Sequence, residues 1–304
     1  MGAGRIAGMT ALMVTACLAL RWVALAQETE PDWQAKAGGK MAFEVASVKP
    51  ATGEFRPPLF PLDDGPAYKP TGGRFFAAFP LITYIRFAYK IQMAPDQMQA
   101  LMSRIPKWVA TDRFEIEARA PQSNPSKDQF RLMMQSLLVE RFHVALHFEK
   151  ETVPALALVA VKAGKPGPKL IPHDQGPACD SPPDTKIFPS RCDVYSVERN
   201  PATGVLTAGS RKTTLARLAA LIPSFGIVGR PVVDRTVIEG DYDFTLEWAP
   251  DLPSGPNAPA PASSEPAGPS FLEALKEQLG LKLESTKAAV QILVIDHVEK
   301  PSEN

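Results

Sequence analysis

The chain has 304 residues, 45% hydrophobic and 22% charged, the balance of a folded protein rather than a disordered one. Lysine plus arginine and aspartate plus glutamate are both 33, so the chain is formally neutral. Neutrality argues against a nucleic-acid partner, which needs a basic face to offset phosphate charge.

The N-terminus bears on the compartment. Arg5 supplies a positive start, residues 6–20 are apolar and uncharged, and Ala24-Leu25-Ala26 fits the small-x-small pattern before a signal peptidase cut. Residues 1–26 therefore read as a signal peptide cleaved after Ala26, which makes the protein exported, to the periplasm or beyond. The apolar run, about 15 residues, is short of the ~20 a spanning helix needs. Two alternatives retain a membrane anchor: an uncleaved signal, or a lipoprotein at Cys17, where Val14-Thr15-Ala16-Cys17 loosely resembles a lipobox. Apolar residues continuing past Cys17 count against the lipoprotein. No later stretch is apolar enough to span a membrane.

Cleavage would remove Cys17 and leave Cys179 and Cys192. An even pair in an oxidising compartment is expected to form a disulfide. Closing so short a loop would stabilise the fold by roughly 3 kcal/mol on the chain-entropy model. A redox-active pair is the competing reading, and its usual Cys-x-x-Cys spacing is absent here.

Residues 27–42 read as a loose leader. Residues 43–49 alternate apolar and polar, the period of a half-buried strand, and meet Pro50. A proline-bearing loop fills 51–72. Residues 73–79 form a strand that enters a helix at Pro80, with Leu81, Ile82, Ile85, Ala88 and Tyr89 on one stripe. A second helix spans 95–102, where Met93, Met98 and Met102 are core filler. A strand over 113–119 stops at Pro121, and Ser126 caps a helix over 127–139. Residues 142–148 and 155–161 are expected as a hairpin broken at Pro154. Residues 164–190, rich in proline, glycine and lysine, read as a linker.

Strands then fall at 193–197 and 204–208, followed by a helix from Thr214 to Ile222. Strands at 232–234 and 242–248 follow. A proline- and alanine-rich insert over 251–269 reads as disordered. Ser270 caps a helix over 271–279 that Gly280 ends. Residues 281–284 and 290–295 are expected to pair across a turn at 285–288.

The order of elements in the first half recurs in the second. Helix 80–89 answers helix 214–222, strand 113–119 answers strand 242–247, and each second strand ends at an Ala-Pro pair, Ala120-Pro121 and Ala249-Pro250. The expected fold is α+β: two repeated units, residues 43–163 and 191–300, each a small mostly antiparallel sheet with about two helices.

Little in the sequence carries chemistry. His143 and His147 are four apart, but their neighbours favour a strand, which puts them roughly 13 Å apart at ~3.3 Å per residue. His173 and His297 have no partner in the sequence. Asp234, Asp241 and Asp243 lack the spacing of a calcium loop; Asp241, Asp243 and Glu247 alternate with aromatic and aliphatic residues and read as a solvated strand face. No nucleophile elbow, zinc helix or phosphate loop is present. No catalytic, cofactor-binding or metal residue is assigned, and no cofactor is expected.

Val232-Val233-Asp234-Arg235-Thr236 and Gly240-Asp241-Tyr242-Asp243-Phe244-Thr245-Leu246-Glu247-Trp248 resemble a large family of exported proteins of soil bacteria, described as a domain of unknown function. Residues 275–284, 294–301 and 43–50 share that resemblance. Val237-Ile238 departs from the Gly-Leu pair usual there. A weaker likeness, at 275–283, is to the short N-terminal domains of secretins and TonB-dependent receptors. The resemblance implies export and no mechanism. The functional expectation is a non-enzymatic module that binds an unknown envelope protein or ligand. The alternative is an extracytoplasmic hydrolase assembled from His143, His147 or Asp234.

Overall fold

The computed structural model describes residues 32–65, 68–179, 187–225, 227–250 and 268–301. The expected signal peptide and nearly all of the expected insert lie outside the described residues. Among those residues are seven α-helices and three small, mostly antiparallel sheets, a mixed α+β fold. Among the described residues no helix is long and apolar enough to cross a membrane.

The leader is not wholly loose. Asp32–Ala37 is a short helix, α1, packed on α5, Lys127–Phe142. The Lys90 ammonium lies 4.4 Å from the Trp33 ring centroid, a cation–π contact that fixes α1 there.

The first sheet is antiparallel, in the order β1 (Val45–Pro50), β3 (Arg113–Arg119), β2 (Arg74–Pro80). Pro80 closes β2 and caps α2, Leu81–Ala88, because its φ of −60° suits both a strand end and a helix start. α3 spans Pro95–Met102, and a short α4, Trp108–Thr111, precedes β3. Ser126 and Gln129 form a capping box that starts α5. α2 and α5 bury Phe87, Phe130, Met133 and Leu138 against Phe75, Phe114 and Ile116 of the sheet. The 51–72 loop contributes Phe60 to that core.

The second sheet has the order β5 (Leu170–Pro172), β9 (Tyr242–Trp248), β7 (Leu206–Thr213), β6 (Tyr195–Arg199). β5 comes from the stretch expected to be a linker. α6, Leu215–Leu221, and α7, Phe271–Leu279, share a second core with Phe244, Leu246 and Trp248. Thr214 caps α6, Ser270 caps α7, and Gly280 ends α7 at φ +68°.

Neither expected hairpin forms. Residues 145–160 make one strand, β4 (Ala145–Ala160), which pairs antiparallel along its length with β10 (Leu281–His297). Residues 285–288, expected as a turn, lie within β10 opposite Leu156 to Val153. Pro154 is tolerated for a definite reason. The Leu156 N–H points to β8, Val232–Asp234, and donates to the Pro231 carbonyl. Alternation turns the Pro154 nitrogen to the same side, before the β8 pairing begins at Leu156, so no ladder bond is lost.

The ribbon joins the two halves. Leu146, Phe148, Leu293 and Ile295 pack into the first core, and Leu156, Leu158, Leu281 and Leu283 into the second. Between them both strands turn polar and exposed, at Glu149 to Thr152 and at Lys287, Ala289 and Gln291.

Candidate functional site

The sequence-level candidates are not brought together. His143 is not in a strand; it is the C-cap of α5, left-handed at φ 50°, because the helix runs on to Phe142. His147, in β4, is held by Asp296 at 2.8 Å and Glu149 at 3.0 Å. Asp234 Oδ1 accepts from the Thr236 N–H and hydroxyl at 2.9 and 2.8 Å, shaping a turn. His297 meets Glu299 at 2.8 Å. No hydrogen bond or ion pair among the described residues links His143, His147 and Asp234 to one another.

A different cluster assembles beside the cysteines. β5 ends at Pro172, and His173 opens a single 3-10 turn, His173–Gln175. His173 Nδ1 lies 2.7 Å from Asp243 Oδ1, and the same oxygen accepts the Lys212 N–H at 2.9 Å. A carboxylate can only accept, so Nδ1 carries the proton and Nε2 faces away from it. Nε2 lies 3.2 Å from Cys179 Sγ. Cys179 and Cys192 are bonded, with Cα atoms 5.5 Å apart.

Asp243 therefore does not belong to a solvated face; its side chain is only 16% exposed. Two local features cause this. The β7–β9 register shifts between Ser210 and Thr213, and Lys212 takes φ 57°, so the bulge aims its N–H at the carboxylate. Gly176 then lets the loop close: a Cβ there would stand 2.6 Å from Asp243 Oδ2.

Arg211, on the bulge, is nearly buried. Its Nε lies 3.7 Å from Asp243 Oδ2, and its terminal nitrogens donate to the Pro177 and Ser190 carbonyls. The guanidinium thus clasps the chain two residues before each cysteine. His173 Nε2 and the two sulfurs lie within 4.8 Å of one another. With the disulfide closed neither sulfur is a thiolate, so the trio offers a metal one strong donor, His173.

A second feature is a cleft of about 1010 Å³ between α3 and the β4–β10 ribbon. Tyr89, Leu146, Phe148 and Leu293 give it an apolar floor. Arg104, Lys150 and Arg230 stand on its rim and form no ion pair among the described residues, and the carboxylates Asp96 and Glu151 line it too. The volume and the mix of apolar wall with a few charges suit a small-molecule site. No contiguous motif announces it, because its lining comes from α1, α3, α5, β4, β10 and three loops.

A family model described as protein of unknown function (DUF3738) matches residues 82–298. The chain belongs to the DUF3738 family. No curated protein and no solved structure matches it. The DUF3738 match begins inside α2 and ends just beyond β10, so it takes in the whole ribbon, His173, Asp243, both cysteines and nearly all of the cleft. β1 and β2 precede the DUF3738 match.

Proposed function

We propose that this chain is an exported ligand-binding module whose ligand has an apolar body and an anionic group. Export rests on residues 1–26, and the exported soil-bacterial proteins that its motifs resemble support the same reading. The binding role rests on one observation: an apolar-floored cleft on whose rim Arg104, Lys150 and Arg230 form no ion pair among the described residues, while Asp96 and Glu151 line the same cleft. An anion would gain charge-assisted hydrogen bonds there while its apolar part left water.

The probe is 8-anilinonaphthalene-1-sulfonate, an aromatic body with one anion, titrated into the full chain. Saturable binding at one site is expected. Arg104→Glu, Lys150→Glu and Arg230→Glu together should weaken it about ten-fold or more, since each rim cation contributes a fraction of a kcal/mol to a few. Equal binding by the triple variant, or no saturation by the wild type, refutes the proposal.

We also infer an internal duplication. β2-α2-β3-α5-β4 and β7-α6-β9-α7-β10 run in the same order, and the last members pair with each other. Superposing residues 74–160 on 206–297 tests it; helices on opposite sheet faces in the two halves would refute it.

A further inference from the structure

We propose that Cys179–Cys192 is an exchange-active disulfide, with His173 poised to stabilise Cys179 as the leaving thiolate. Spacing alone argued for a purely structural bond. The tertiary structure adds three things that spacing does not contain.

First, His173 Nε2 faces Cys179 Sγ at 3.2 Å, while Asp243 holds Nδ1 and with it the ring orientation. A protonated ring then donates to the sulfur, and a thiolate released there meets an imidazolium. Second, Arg211 brings a buried guanidinium, which faces Asp243 Oδ2 at 3.7 Å, to the carbonyls two residues before each cysteine. Third, the Arg211 bonds to the Pro177 and Ser190 carbonyls do not depend on the disulfide. They keep the two cysteines near each other after the bond opens, so it can close again.

The step is ordinary thiol–disulfide exchange with a dithiol. A thiolate of the dithiol attacks Cys192 Sγ. The S–S bond breaks, a mixed disulfide forms on Cys192, and the electron pair leaves on Cys179 Sγ beside His173. The second thiol of the reductant then attacks its own mixed disulfide and releases Cys192. The dithiol becomes a disulfide, losing two electrons and two protons, and the protein gains two thiols. Exchange is faster when the leaving thiol is the more acidic one, which selects Cys179 as the leaving side.

The test uses the full chain with dithiothreitol for rates and 2-mercaptoethanol for regiochemistry. Thiols are trapped with a maleimide and located by peptide mass. The adduct of 2-mercaptoethanol is expected on Cys192. His173→Phe should slow reduction by dithiothreitol about ten-fold, as loss of a stabilised leaving group does. An adduct on Cys179, or equal rates for wild type and His173→Phe, overturns the proposal. Should His173→Phe fail to fold, the adduct position decides it.

Discussion

Gly167 donates its backbone N–H to the Leu279 carbonyl at 2.8 Å. Two residues on, Lys169 donates to the Gln278 carbonyl at 2.8 Å. The chain after β4 thus satisfies carbonyls that the end of α7 would otherwise leave open. Gly167 can approach only because it has no side chain: a Cβ would stand 2.6 Å from the Gln278 oxygen and press on Gly280. Gly167→Ala is expected to cost about 3 kcal/mol or more, since backbone must move. Gly164→Ala, at φ +64° with open space around it, should cost only about 1 kcal/mol of backbone strain. Urea unfolding of the two variants measures the difference.

Two tyrosines with buried hydroxyls should respond oppositely to losing them. Tyr84 accepts the Phe79 N–H at 3.1 Å and donates to the Phe114 carbonyl at 2.7 Å, joining α2 to β2 and β3. Burial holds its hydroxyl protonated far above the ordinary tyrosine range. Tyr84→Phe leaves both partners unsatisfied and should cost about 1–3 kcal/mol. The Tyr195 hydroxyl is buried with no partner among the described residues, and its ring stacks on Phe225 at 5.4 Å. Tyr195→Phe should be neutral or stabilising. Thermal melts of both variants test the contrast, and equal losses would contradict it.

His147 predicts a pH dependence. Hydrogen bonds to Glu149 and then Asp296 raise its pKa above the ordinary 6.5. The folded chain therefore holds the proton more tightly than the unfolded one. The stabilisation is fully present below the ordinary value and is lost as pH rises through the raised one. The effect is small, because the ring is exposed. The wild-type melting temperature should fall over that interval more than that of His147→Gln; parallel curves would exclude the linkage.

The ribbon can be trapped chemically. Thr152 and Ala289 face each other in the β4–β10 register, and both are exposed. Facing residues on antiparallel strands lie about 4.5–5.5 Å apart at Cα, within the reach of a disulfide. Thr152→Cys with Ala289→Cys should cross-link under mild oxidation, as read by peptide mass. Separate hairpins at Pro154 and at residues 285–288 would keep the two cysteines apart.

What the sequence determined by itself was local. Ser126, Ser270 and Gly280 mark helix ends because caps act within one turn. Phe244, Leu246 and Trp248 mark a buried face because a strand alternates with period two. What only the tertiary structure decided was pairing. The polar middles of β4 and β10 looked like turns, yet they are the exposed span of a ribbon between two cores, and each is kept extended by the other. The stretch over 164–190 looked like a linker because its few apolar residues have no period; it nonetheless supplies β5 and His173. His173 and Asp243 are 70 residues apart. No local pattern couples them, since their contact depends on β5 joining β9 and on a bulge in β7 that turns one N–H toward a carboxylate.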